Sequence, residues 1–281
     1  QLNLNAEIPQ FKYQKYNFDD FRLTAKGTAD SLSVFGSVTN INVSDSLNIP
    51  LAIFRVEAHN DTSLVKLYTG ANQAINRANI NARVLTFDNG VKIEMQPSSF
   101  VVNSKTWTIE ENGELEFRNN IPASGQLVLR ESNQEVRMRT KPSETGDWND
   151  LLVELKKINV GDFAPFFMPH NRLEGLVSGN ILVEDPMDNM YISSKDIVAE
   201  SVRLDNDSIG NVTASLSYEN KTKELKVNGN TVNVDNNLAF DVNLFLSTPE
   251  EQQKNQIALK ANHFQLSILE RFLGTLFTNI S

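Results

Sequence analysis

Apolar residues recur at every second position over most of this chain. Val91, Ile93 and Met95 alternate with Lys92 and Glu94, and Trp107 and Ile109 with Thr106, Thr108 and Glu110. Leu115 and Phe117 alternate with Glu114, Glu116 and Arg118. Leu127 and Leu129 precede a polar break, after which Val136 and Met138 alternate with arginines. Val212, Ala214, Leu216 and Tyr218 alternate with Thr213, Ser215 and Ser217, and Leu238, Phe240, Val242, Leu244 and Leu246 make the longest run. A period of two is the pattern of strands with one greasy and one wet face, so the chain is expected to be all-β.

The breaks carry turn chemistry. Asp88-Asn89-Gly90 predicts a hairpin between Val84–Phe87 and Val91–Met95. Glu219–Lys223, Asn228-Gly229-Asn230 and Asp235-Asn236-Asn237 read as later turns. Strands joined this closely are antiparallel neighbours, which predicts a meander. Helix signals are few. Leu266, Leu269, Phe272, Leu273 and Leu276 are spaced for a short amphipathic helix, read as a cap on the sheet. Phe163–Pro169 holds two prolines and predicts only a turn or two; Gln73–Val84 is a weaker helical candidate. Pro, Gly and polar residues thicken near 141–146. The chain therefore divides into a β-rich segment 1–145 and a second, 146–281, continuous with the first.

The second segment contains a repeat. Lys157–Ser178 matches Lys260–Ser281 at a constant offset of 103 residues (Leu173 to Leu276), with Lys157/Lys260, Asn159/Asn262, Leu173/Leu276 and Ser178/Ser281 identical. A strand, a short apolar segment and a return to strand are used twice, which points to an array that grows by addition. Gln1 opens directly into alternating Leu2 and Leu4. Ser281 falls where the first copy continues with Gly179. The expectation is an interior piece of a longer chain, with any anchor or targeting signal outside it.

Composition narrows the function classes. The 281 residues carry a net charge of -9, with no basic stripe for a nucleic acid. There is no cysteine, hence no disulfide, thiolate nucleophile or Cys-based metal site, and no stretch approaches the roughly 18 apolar residues of a membrane span. Hydrophobic content of 40% is enough for a sheet with one apolar face.

Leu173-Glu-Gly-Leu-Val-Ser-Gly-Asn-Ile-Leu-Val-Glu-Asp185 resembles the recurring leucine, glycine, serine-glycine, then strand unit of TamB proteins, members of the AsmA-like group. Ser193–Tyr218 and Leu266–Ser281 are similar to the tracts that follow that unit, and Met95–Trp107 looks like TamB proteins of the Bacteroidetes type. The resemblance covers about two thirds of the chain. It implies an elongated antiparallel sheet curled into an apolar-lined trough, a β-taco, in the periplasm, anchored in the inner membrane through a segment absent from this sequence. It further implies phospholipid acyl chains as guests, with conduction of phospholipid between the inner and outer membranes, support of outer-membrane protein assembly and secretion, or both. An outer-membrane BamA-like barrel would be met through regions outside this sequence. No cofactor and no catalytic residue is implied.

The strict alternation selects Trp107, Ile109, Leu115, Phe117, Leu127, Leu129, Leu216, Tyr218, Leu238, Phe240, Val242 and Leu244 as the groove lining. With strands about 4.8 Å apart, 16–20 of them in one sheet would extend roughly 75–95 Å. Two other classes stay open: a scaffold or chaperone that pairs its sheet edges with outer-membrane strands, and a surface β-sandwich adhesin. An enzyme is the least favoured class. His59, His170 and His263 are scattered, with no metal-ligand spacing. Asp205–Gly210 begins like a calcium loop, but Leu216 stands where a glutamate is required. Glu184–Asp188 reads as a solvated turn. There is no phosphate loop and no Gly-x-Ser-x-Gly elbow.

Overall fold

The alternating segments return one beside the next as a single antiparallel meander. A computed structural model describes residues 1–13, 16–44, 47–70, 75–166, 171–205, 207–232, 237–246 and 253–262. The first strands are β1 (Leu2–Tyr13), β2 (Tyr16–Gly27), β3 (Ser31–Ser44), β4 (Leu47–His59), β5 (Thr62–Gly70) and β6 (Ile75–Phe87). Shorter ones follow: β7 (Gly90–Met95), β8 (Ser98–Val102), β9 (Lys105–Ile109) and β10 (Glu114–Arg118). Then come β11 (Ile121–Glu131), β12 (Gln134–Pro142), β13 (Asn149–Asn159), the helical turn α1 (Val160–Phe163) with a 3-10 turn Ala164–Phe166, and β14 (Leu173–Glu184). The last are β15 (Tyr191–Leu204), β16 (Asp207–Glu219), β17 (Glu224–Val232), β18 (Asn237–Phe245) and β19 (Gln256–Asn262). All belong to one 19-stranded sheet, and every described pairing is antiparallel.

Two rows of the sheet are split. β7 and β8 lie end to end against β6, which pairs with β7 through Ala82–Phe87 and with β8 through Ile75–Asn79. Pro97 stands at that break, where a residue without an N–H cannot extend the ladder. β10 and β9 fill the next row and pair onward to β11. Nineteen segments therefore fill seventeen rows, and the ladder is roughly 75–80 Å long from strand to strand. Among the described residues β1 pairs only with β2, and β19 only with β18.

The hairpin at Asp88-Asn89-Gly90 forms as expected, with Phe87 opposite Gly90. Gly90 is required there, because a Cβ would meet the Phe117 carbonyl oxygen at 1.9 Å. Two expectations are corrected. The described part of the helical candidate Gln73–Val84, from Ile75 on, is strand: Ala78, Ile80 and Ala82 register against Thr69, Leu67 and Val65, and pairing in the sheet outweighs a weak helical period. Asn228-Gly229-Asn230 is not a turn but the middle of β17, with Gly229 between Ala214 and Phe240. Of the Phe163–Pro169 segment, Phe163 ends the α1 turn and Ala164–Phe166 form the 3-10 turn, while 167–169 lie outside the described residues. The helix residues Leu266, Leu269, Phe272, Leu273 and Leu276 lie outside the described residues. At residues 143–148 the ladder passes without interruption, since β12 and β13 pair down to Pro142 opposite Asn149.

The sheet is thinly covered. The chain exposes 17052 Å², against roughly 12,000 Å² expected of a compact 31.5 kDa protein. Only two buried clusters form among the described residues, one around Val102, Trp107 and Ile158, the other around Val202, Leu204 and Ile209. Elsewhere apolar side chains pack across strands. The Phe54 ring lies over Gly36, whose added Cβ would meet three ring atoms at 2.1–2.9 Å, while a Cβ at Gly229 would meet the Thr213 carbonyl oxygen at 2.4 Å and Phe240 Cζ at 2.6 Å. Gly36→Ala is accordingly expected to cost about 1–3 kcal/mol in urea denaturation, and to cost little in a Phe54→Leu background. Equal costs in both backgrounds would show that the ring is not seated there.

Candidate functional site

Residues opposite one another in an antiparallel ladder point to the same side, so the register assigns each side chain to a face. Trp107 stands opposite Phe100, and Ile109 opposite Leu129. From Leu129 the same side runs to Val136, Leu155 and Gly179. Val177, next but one to Gly179, leads on through Ala199 to Val212. Leu216 then leads to Val227, Val242 and Ile257. Leu115 and Phe117 join through Gly125, Ile93 and Val91, and Tyr218 through Leu225 to Leu244. All twelve residues selected from the alternation thus lie on one face.

Bulges keep this face in phase. Lys157 adopts φ 50°, and the extra residue lets Ile158 join Leu155 on the apolar side. Ser201, at φ 52°, does the same for Ala199 and Val202. Asp20, at φ 43°, lets Phe18 and Phe21 both contact Phe11, with ring centroids at 4.6 and 5.7 Å. Between β5 and β19, the charged side chains that register on the apolar face among the described residues are Lys105, Glu131 and Asp207, the last opposite Leu204.

The opposite face holds the charges. Arg83 pairs with Glu94, and Lys92 reaches Glu114 at 2.8 Å. Arg130 bonds Glu135 at 2.8 Å and also pairs with Glu110, while Arg139 bonds Glu154 at 3.1 Å. Farther along, Thr213 donates to Asn230 at 3.1 Å and Ser215 to Asn228 at 2.8 Å. Hydrogen bonds from Arg83 and from Arg130 hold the Glu94 and Glu135 carboxyls below the usual carboxylate range.

Ten of the twelve apolar residues are half-buried, neither sealed by a second layer nor fully open. Leu238 is buried at 8% exposure, and Trp107 is sealed at 1%. Trp107 therefore presents no free surface to a guest in this arrangement. Phe100 stacks on it at 6.1 Å, and Phe163 of the α1 turn lies over it at 6.1 Å. The turn starts at Asn159, whose side chain accepts from Gly161 N. Asp162, 2% exposed, accepts from Lys105 Nζ at 2.8 Å, from Gln134 Nε2 at 3.1 Å and from Asn103 Nδ2 at 3.4 Å. Gln134 Nε2 also donates to Glu131, and its Oε1 accepts from Asn159 N at 2.7 Å. Two of the three charged residues of the apolar face, Lys105 and Glu131, thus belong to one polar cluster that holds the cap. In the repeat, Asn159 and Asn262 both end strands of the same direction, β13 and β19. His170 and His263 lie outside the described residues.

The solvated turn expected at Glu184–Asp188 is partly buried. Desolvation, with the buried Asp150 nearby, raises the Glu184 carboxyl above its ordinary 4.5. Asp150 itself accepts from Asp185 N at 3.2 Å. The sequence lacked a signal for this, because burial of Glu184 depends on a strand about 35 residues away.

Among the described residues no helix is long and apolar enough to cross a membrane, a statement that does not concern strands, and no group of three His, Cys, Asp or Glu could hold a metal ion. No family model, no curated protein and no solved structure matches this chain.

A carboxyl raised on folding disfavours the folded state above its folded pKa, and that penalty disappears as pH falls to its unfolded value. Glu184→Gln is therefore expected to raise the denaturation midpoint at pH 7, with the gain gone below pH 4.5. A gain that persists unchanged at lower pH would contradict the burial effect.

Proposed function

We propose that this chain is a non-enzymatic, TamB-like segment of a bacterial envelope protein whose apolar face conducts phospholipid acyl chains across the periplasm. The observation that carries the reading is the separation of the faces. An apolar surface runs from β5 to β19, where among the described residues only Lys105, Glu131 and Asp207, all near strand ends, bring charge to it, while most ion pairs occupy the other side. Monomeric soluble proteins rarely expose contiguous apolar patches above a few hundred Å², and larger ones mark interaction sites.

The physical need is simple. A diacyl lipid has roughly 30 methylenes, each costing about 0.8 kcal/mol in water, so leaving a bilayer unaided costs on the order of 20–25 kcal/mol. A sheet curled with its half-buried face inward removes most of that cost along its length. Conduction needs continuity and little specificity, and it needs no catalytic group. On this reading an outer-membrane barrel partner and the inner-membrane anchor belong to regions outside this sequence.

Photo-crosslinkers at Phe240 and Leu244 should capture phospholipid in cells, while those at Asp241 and Asn243, on the other face, should not; the reverse pattern would reject the lining. Leu244→Arg should cut lipid passage several-fold while leaving the β-sheet circular dichroism unchanged, because a desolvated charge on that face is costly. Unimpaired passage would count against conduction.

The outer edge of β1, without a partner strand among the described residues and with Leu2 49%, Leu4 46% and Ile8 41% exposed, favours a second reading as a scaffold that adds a client strand. Asn5→Pro separates the two: strand addition would abolish partner binding in that variant and spare lipid capture.

A further inference from the structure

The cap over Trp107 is fastened in an unusual way. Its contact with the sheet is apolar through Phe163, yet it is held by the buried Asp162 and by two of the three charged residues that register on that face between β5 and β19 among the described residues, Lys105 and, through Gln134, Glu131. Asp162 is buried but Lys105 is 36% exposed; an ion pair with a desolvated member contributes little net stability compared with apolar packing of equal volume, and its best-attested use is to fix one register or one state of a switch. Beneath the cap, the Trp107 indole N–H is buried and has no acceptor among the described residues. Unsatisfied buried donors are rare enough in native proteins to require an explanation.

We propose that the Val160–Phe166 segment is a displaceable cap, latched by Lys105–Asp162, over a lipid-binding station formed by Trp107, Phe100 and Ile158. This rests on the acyl-conducting reading above. With the cap closed, the rim half of the apolar face at β8, β9 and β13 is sealed. With it displaced, the station joins the half-buried surface on either side, and the indole N–H meets the ester carbonyls of a glycerolipid. The latch is polar because an apolar guest competes with Phe163 for the same surface but cannot replace the ion pair. The cap therefore yields to lipid without staying open in its absence.

The chain has two tryptophans and no cysteine, so the test can be direct. In a Trp148→Phe background Trp107 is the sole tryptophan, and an environment-sensitive label on Phe240→Cys reports lipid on the open face. The protein is titrated with vesicles of phosphatidylcholine brominated along the acyl chains. Trp107 quenching is expected to rise with lipid until the Phe240 label saturates, and aqueous iodide should quench little. Lys105→Met, and independently Asp162→Asn, should speed Trp107 quenching several-fold without moving the Phe240 response. No Trp107 quenching at saturating lipid overturns the cap even if both latch variants fail to fold, as does quenching that the latch variants leave unchanged. A label that never responds instead overturns the acyl-conducting reading itself.

Discussion

Everything in this fold depends on keeping a period of two in phase through seventeen consecutive rows. One uncompensated single-residue slip would turn the apolar residues of every later strand onto the charged side. The antiparallel ladder transmits the phase from row to row, and residues with positive φ repair it where the sequence breaks step. Lys157, Ser201 and Asp20 each add one residue, and after each bulge the apolar side chains return to the same face. The positions differ chemically but share a polar side chain, so the extra residue is one that water accepts.

That constraint accounts for a sheet with so little core. Most apolar residues are half-buried against cross-strand neighbours, as where the Phe54 ring lies over the facing Gly36. Exposed ion pairs on the other face contribute at most about 1 kcal/mol each, and their larger effect is to make that face incompatible with packing on itself. On the proposed reading the same economy serves transfer: a low, continuous apolar surface lets an acyl chain move along it without a deep pocket to leave.

Much of this was legible in the sequence because alternation is local. Leu115 and Phe117, or Leu216 and Tyr218, could be placed on one face from their own strands, and the all-β class followed. Phase after a bulge was not legible. Ile158, Ile197 and Val202 fall out of step with their own alternation, and only the pairing partners Val177, Ala214 and Gly210 reveal their side. Gly229 was misread as a turn for a related reason: its glycine is demanded by the two neighbouring strands, through the Thr213 carbonyl oxygen and the Phe240 ring, not by local backbone conformation. The sealing of Trp107 was invisible because the cap comes from residues more than 50 positions away. The burial of Glu184 escaped for the same reason.

The central claim is that the apolar face is left available along the ladder. Nitroxide labels placed singly at residues 238–244 in the presence of phospholipid test it most directly, through collision with oxygen, which is enriched in acyl chains, and with a water-soluble nickel chelate. The account predicts oxygen maxima at 240, 242 and 244 and nickel maxima at 239, 241 and 243. Low access to both quenchers at 240, 242 and 244 would mean that the face is sealed by protein, and would contradict it.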